Sequence, residues 1–241
     1  MPLCRLLESC GAITVRLPAI EIKSVGHAQE LRHRLGALEA FNLIIFTSTN
    51  AVRFGAGLLD QKRDLTLAAI GPATARALNQ AGYRVTVTPA DGFDSENLLA
   101  HPMLARLSGR RVLLVKGMHG REILQEQLAQ RGAQVIVADV YKRERANPDA
   151  ATLEALEAQL AAGEIHVITA TSAEIAASLL DMASPALRRE FDRVHWLVPG
   201  ARVAGAVRER GVLAPILQAD TAEDQDLVAA ILRWRSSVSG A

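Results

Sequence analysis

Leu43–Leu59 reads LIIFTSTNAVRFGAGLL, and Val167–Leu180 reads VITATSAEIAASLL. Both run from a short apolar strand into Thr-Ser and then into a helical pattern, so one strand–loop–helix unit is written twice. LAAIGPATARALNQAG (Leu67–Gly82) is answered by LVPGARVAGAVRERG (Leu197–Gly211), and SENLLA (Ser95–Ala100) by DQDLVA (Asp224–Ala229). One constant offset carries Gly71 onto Gly200, Gly82 onto Gly211 and Leu98 onto Leu227. A third match joins LESCGAITVRLPAIEI (Leu7–Ile22) to LAQRGAQVIVADVYKR (Leu128–Arg143). The chain therefore starts partway through one unit, completes another, and returns to finish the first.

Short β-branched runs alternate with helical runs throughout, which predicts βαβ units and parallel sheets. Strands are expected at Ala12–Val15, Leu43–Thr47, Leu67–Ile70, Arg84–Thr88, Arg111–Lys116, Gln134–Ala138, His166–Thr169, Val194–Val198 and Ala214–Gln218. Helices are expected at Asn50–Leu59, Pro72–Ala81, Ser95–Leu107, Arg121–Arg131, Ala151–Ala162, Ala173–Met182, Ala201–Arg210 and Ala222–Arg235. Gly82, Gly132 and Gly211 stand where helices close, and Pro72 where one opens. Extended segments near Ile20–Val25 and Val140–Ala146 are the expected crossovers. The expected division is a continuous lobe over 26–141 and a split lobe of 1–25 plus 142–241.

The 241 residues suffice for two such lobes, each able to bury a core. A net charge of +1 offers no field suited to nucleic acid or an anionic membrane. No apolar run is long enough to span a bilayer and no secretory signal opens the chain, so a cytoplasmic protein is expected. Cys4 and Cys10 are too few for a metal cluster, and the six histidines have no paired ligand spacing, so no metal is expected. Gly117-Met118-His119-Gly120 lacks Walker spacing, no GxGxxG follows a strand, and no GxSxG elbow occurs.

In open α/β sheets ligands bind beyond the carboxyl ends of the strands. Those positions carry Thr47-Ser48-Thr49-Asn50, Gly71-Pro72-Ala73-Thr74, Gly92–Glu96, Gly117–Arg121, Thr171-Ser172 and Gly200-Ala201-Arg202. Free N–H groups at such helix starts hold carboxylates or phosphates. Each serine alone is also an ordinary helix cap. Six such loops around a cleft between lobes point to a polyanionic ligand. Tyr141, one of two tyrosines, lies in VYKRER at the expected waist. Two readings stand for it: an interdomain packing ring, or a phenol that donates to a leaving hydroxyl.

In this order the motifs resemble the uroporphyrinogen-III synthase family. The resemblance rests on IIFTSTNAV (Ile44–Val52), AIGPATARAL (Ala69–Leu78), SENLL (Ser95–Leu99), LLVKGMHGREIL (Leu113–Leu124) and RGAQVIVADVYKR (Arg131–Arg143). It continues in ITATSAEIA (Ile168–Ala176) and ADTAEDQDLVAAI (Ala219–Ile231). It implies two flavodoxin-like α/β lobes joined by a two-stranded ladder. It also implies a cofactor-independent lyase that closes hydroxymethylbilane to uroporphyrinogen III, with inversion of ring D and loss of water. Such a reaction depends on folding the substrate so that its ends meet. The resemblance makes Tyr141 the catalytic residue, assisting departure of the hydroxyl. It makes Thr47, Ser48, Asn50, Gly71, Thr74, Lys116, Gly117, Thr171, Ser172, Gly200 and Arg202 the substrate-binding residues.

The expected partners are the small-molecule substrate and, transiently, hydroxymethylbilane synthase; a monomer is the default. The family opens on a strand ending in Thr-Arg-Pro, and the third internal match likewise shows nothing answering RVLLVKG (Arg111–Gly117). The split lobe is therefore expected to lack its first strand and one anion loop. Val203 stands where many members carry threonine, and Gly200 lacks a hydroxyl common there. The alternative is a non-catalytic two-lobed module that holds an anion or tetrapyrrole. A glycosyltransferase of two α/β lobes would need a longer chain.

Overall fold

The computed structural model describes residues 2–26, 28–59, 65–90, 92, 94–120 and 122–239. In chain order its elements are α1 (Pro2–Ser9), β1 (Ile20–Ser24), α2 (Ala28–Leu35), β2 (Leu43–Phe46), α3 (Thr49–Gly55), β3 (Leu67–Ala69), α4 (Pro72–Gln80) and α5 (Ser95–Leu99). There follow β4 (Arg111–Gly117), α6 (Ile123–Gln130), β5 (Gln134–Arg145), α7 (Ala150–Ala161), β6 (Val167–Thr169), α8 (Ala173–Met182) and α9 (Pro185–Phe191). The chain closes with β7 (His195–Pro199), α10 (Gly200–Glu209), β8 (Ile216–Ala219) and α11 (Asp224–Ser239). Two compact units result: Ile22–Glu144, and Met1–Glu21 with Arg145–Ala241.

The continuous unit holds most of a sheet in the order β1-β5-β4-β2-β3. Its β5–β4, β4–β2 and β2–β3 pairs are all parallel. A central parallel strand is covered on both faces, so it must be apolar along its whole length. The β2 run Leu-Ile-Ile-Phe meets that demand and is buried throughout. One face of the sheet packs Ile44, Phe46, Leu113, Val115, Ala138 and Tyr141 against Val52, Leu58 and Leu78. The other packs Leu43, Ile45, Val112 and Leu114 against Leu98, Leu104, Leu124 and Leu128.

The split unit holds a parallel sheet in the order β6-β7-β8. Trp196, Val198, Leu187, Phe191 and Val207 build its larger core. Trp196 donates to the Phe191 carbonyl at 3.0 Å and meets that ring edge-on. A smaller cluster of Leu197, Ala219, Leu227 and Ala230 lies on the sheet's other face.

Several expected elements change shape. Ala12–Val15 is not a strand; Ile13 is 96% and Val15 50% exposed. Its counterpart Ala133–Ile136 pairs with β4 from Gln134 onward, and among the described residues the split unit's sheet has no strand in the place of β4. Arg84–Thr88 shrinks to one bridge, Val87 to Ala68, because Thr86 N, Val87 N and Thr86 Oγ1 all converge on the Leu67 carbonyl. The helix expected over Ser95–Leu107 stops at Leu99, ahead of Pro102, whose ring removes a donor and fixes φ; Pro102–Leu104 forms a 3₁₀ turn instead. Asn50–Leu59 likewise closes at Gly55 into a 3₁₀ turn. α1, α2 and α9 are additional, although Ser184-Pro185 is a recognisable start for α9, with Ser184 Oγ accepting from Leu187 N. Gly82, Gly132 and Gly211 close their helices with φ of 89°, 87° and 83°.

Candidate active site

In the continuous unit the carboxyl ends of β2 and β4 and an interior position of β5 bring together Ser48, Gly117 and Tyr141. Ser48 caps α3, its Oγ accepting from Ala51 N at 3.0 Å. The same Oγ lies 3.1 Å from Tyr141 Oη. Tyr141 is 7% exposed and its ring stacks on Phe54 at 6.1 Å between centroids. The ring thus packs in the core while its hydroxyl sits at a helix start.

A register shift places the tyrosine there. Lys116 pairs with Asp139 but Gly117 pairs with Tyr141, leaving Val140 as an extra residue in β5. Such a bulge turns the following side chain to the other face. Gly117 makes room for it: a Cβ at this position would stand 2.5 Å from Tyr141 Cζ. The Tyr141 carbonyl also accepts from Met118 N at 2.8 Å, tying the loop after β4 to the tyrosine's backbone.

Lys116 is 7% exposed, and its ammonium donates to the Gly120 carbonyl at 3.2 Å. His119, between them, takes φ of 58°, the left-handed region that a side chain disfavours. Thr47 Oγ1 reaches the Val115 carbonyl at 3.4 Å. Asn50 is half-buried in the first turn of α3. Gly71 caps α4 without a side chain, followed by Pro72, and Thr74 is 4% exposed in that first turn. Just beyond Tyr141, Lys142 and then Lys23 bond the exposed Glu144 carboxylate and hold it below its ordinary pKa.

In the split unit Ser172 caps α8, accepting from Ile175 N at 3.2 Å, with Thr171 half-buried before it. Gly200 opens α10 at φ of 68°, Arg202 is exposed and Val203 buried. Ile20 is the residue that matches Tyr141 in the internal repeat. The expected residues thus fall into two sets, one in each unit. Phe93 and Arg121, within two of the expected loops, lie outside the described residues. Asp94, in the first of these loops, caps α5 through Asn97 N at 2.8 Å.

Sequence reasoning missed the Gly120 carbonyl and the Val140 bulge. A two-residue glycine spacing around Met118-His119 was the available signal for the first. Nothing local signals the second. No group of three or more His, Cys, Asp or Glu that could hold a metal occurs among the described residues, and none of the described helices is long and apolar enough to cross a membrane.

Comparison with known proteins agrees along nearly the whole chain. The sequence model of the family described as uroporphyrinogen-III synthase HemD matches residues 2–229. A uroporphyrinogen-III synthase of Escherichia coli K12 is 31% identical over 236 residues, covering 93% of this chain and 92% of its own. One from Salmonella typhimurium LT2 is 31% identical over 237 residues, covering 93% and 92%. Among solved structures, a uroporphyrinogen-III synthetase from Helicobacter pylori 26695 aligns with a TM-score of 0.60 at 16% identity, over 90% of this chain and 91% of its own. A mutant uroporphyrinogen III synthase from the extremely thermophilic bacterium Thermus thermophilus aligns with a TM-score of 0.56 at 24% identity, over 100% and 95%. These two likenesses bear on the fold.

Proposed function

The chain belongs to the uroporphyrinogen-III synthase family, and from that membership we propose that it closes hydroxymethylbilane to uroporphyrinogen III in tetrapyrrole biosynthesis. The observation that supports a chemical role for the site is the Tyr141 phenol, held 3.1 Å from Ser48 at the start of α3. The substrate's hydroxyl must leave as water, which needs one proton. Tyr141 Oη donates that proton as the carbon–oxygen bond breaks and its electron pair goes to the departing oxygen. The azafulvene cation left behind is attacked by ring D through its substituted carbon, and the spiro intermediate rearranges. The proton released when the closing ring regains aromaticity returns to the phenolate.

The substrate's carboxylates are to be held by N–H and hydroxyl donors. In the continuous unit these are Thr47, Ser48 through its backbone N–H, Asn50, Gly71, Thr74, Lys116 and Gly117; in the split unit, Thr171, Ser172, Gly200 and Arg202. Backbone donors at helix starts suit carboxylates because they are already oriented toward the ligand. The work is done in the cytoplasm, where a transient contact with hydroxymethylbilane synthase would hand over a substrate that closes on its own to the uninverted isomer. The non-catalytic alternative is not favoured, since the relatives matched over nine-tenths of the chain are named as synthases.

The test is a coupled assay. Purified protein is mixed with freshly generated hydroxymethylbilane and the uroporphyrin isomers are separated after oxidation. Type III should dominate. Type I alone, the product of uncatalysed closure, would overturn the proposal.

A further inference from the structure

Ser48 sits between two polar groups, and its bond with the second, Tyr141 Oη, can run in either direction. A hydroxyl has one proton to give and two lone pairs to receive with. Ala51 N–H fills one lone pair at 3.0 Å, and the next polar atom is Tyr141 Oη at 3.1 Å. The tyrosine cannot swing away, since its ring is buried, stacked on Phe54 and lodged over the bare Cα of Gly117.

We propose that Ser48 is a positioning residue for the reaction: it donates its proton to Tyr141 Oη and so turns the phenol's own O–H outward, toward the substrate's leaving hydroxyl. This rests on the reading of Tyr141 given above. The bonds then run in one direction, from Ala51 N–H to Ser48 Oγ, from Ser48 O–H to Tyr141 Oη, and from Tyr141 O–H to substrate. Donors aligned this way polarise one another. When the phenol gives up its proton and keeps the electron pair, the Ser48 O–H already points at the oxygen on which charge appears. Were that bond reversed, the phenol would spend its proton on Ser48 instead of on the substrate.

The duplicated half of the chain supplies an internal control. Ser172 caps α8 as Ser48 caps α3, accepting from Ile175 N at 3.2 Å. The position matching Tyr141 there is Ile20, which carries no hydroxyl. Ser172 is thus the same cap without a phenol to orient.

The experiment compares kcat and KM, on chemically prepared hydroxymethylbilane, for Ser48→Ala, Ser48→Thr, Tyr141→Phe and the Ser48→Ala/Tyr141→Phe double variant. Thermal unfolding is followed for each and for Ser172→Ala. Ser48→Ala should lower kcat about tenfold or more with KM within about twofold. Ser48→Thr, which keeps cap and hydroxyl, should return to within about threefold of the parent. In the Tyr141→Phe background, Ser48→Ala should cost no more than about twofold, because the group it orients is gone. The Ser48→Ala and Ser172→Ala proteins should lose similar thermal stability.

A rise in KM at constant kcat that persists in the Phe background would make Ser48 a substrate donor and overturn the positioning role. Unchanged kcat in Ser48→Ala, or a threonine variant as impaired as the alanine one, would overturn it too. These outcomes leave Tyr141 intact as the proton donor, whereas full activity in Tyr141→Phe alone would sink both readings together.

Discussion

In the continuous unit, Ile44, Ile45 and Phe46 of β2 are each 1% exposed or less; in the split unit the matching strand β6 is half-buried along its length. Thr169 stands where β2 has Ile45, but the flanking positions are apolar in both strands, and the neighbours differ. β2 is flanked by β3 and β4, while β6 pairs only with β7 among the described residues. The helices repeat the contrast. Leu124 and Leu128 of α6 are 2% and 0% exposed, yet α1, whose Leu3 and Leu7 match them, has no buried residue. The chemistry is unequal in the same direction. The continuous unit has Tyr141 and the buried hydroxyl residue Thr74 where the split unit has Ile20 and Val203. A repeated sequence therefore does not make a repeated geometry; the phenol and the buried threonine stand in the unit with the larger sheet.

The largest way to break this contrast is chemical. Tyr141→Phe should lower kcat roughly 10²–10⁴-fold while shifting stability by less than about 1 kcal/mol, since only one hydroxyl contact is lost. A drop in melting temperature with activity lost in proportion would instead make the tyrosine a packing residue. Next comes the core. Leu128→Ala should cost about 2–5 kcal/mol by urea unfolding followed by circular dichroism, while Leu7→Ala should cost less than about 1. Both tryptophans, Trp196 and Trp234, lie in the split unit, so tryptophan fluorescence reads that unit separately for Leu7→Ala. Equal costs would mean the split unit is packed as tightly as its twin.

Gly117→Ala tests the seat of the tyrosine. Its new Cβ meets the ring at 2.5 Å, so about 1–3 kcal/mol should be lost and kcat should fall as the ring leaves Ser48. Gly57→Ala, where a Cβ meets nothing within 4 Å, should change stability by less than about 0.5 kcal/mol. The smallest effect lies in the split unit. The Asp149 carboxyl is held below its ordinary value by its hydrogen bonds from Thr152, at the start of α7. A depressed folded-state pKa stabilises above the unfolded value of about 3.9 and stops doing so as pH falls through the folded one. Asp149→Ala should therefore melt lower than the parent at pH 7, with the gap closing below about pH 4. A gap that persists at pH 2 would show that the carboxylate's charge is not what caps the helix.

Much of this was legible before any coordinates. Ser48, Ser172 and Pro72 mark helix starts through bonds and sterics confined to four or five residues, and the structure finds α3, α8 and α4 there. The β2 run and the Val112–Val115 stretch of β4 announce buried parallel strands by being apolar at every position. Strand propensity failed at Ala12–Val15, where Ile and Val have the right side chains but, among the described residues, no neighbouring strand to bond. It also overestimated Arg84–Thr88, whose donors converge on one carbonyl. Strands are completed by partners distant in sequence, whereas helices complete themselves.

The tyrosine divides what each source could decide. The sequence by itself determined the duplication, the βαβ alternation, the caps, and that Tyr141 follows a strand whose counterpart carries isoleucine. By strict alternation Tyr141 belongs on the same face as Val137 and Asp139, away from Ser48. Only the tertiary structure turned it. The register shift at Val140 moves Tyr141 to the face of Val115 and Ala138, opposite Gly117 and within 3.1 Å of Ser48. The reason is that a bulge is a property of two strands together: it exists only once β4 fixes which carbonyls and amides of β5 can be paired.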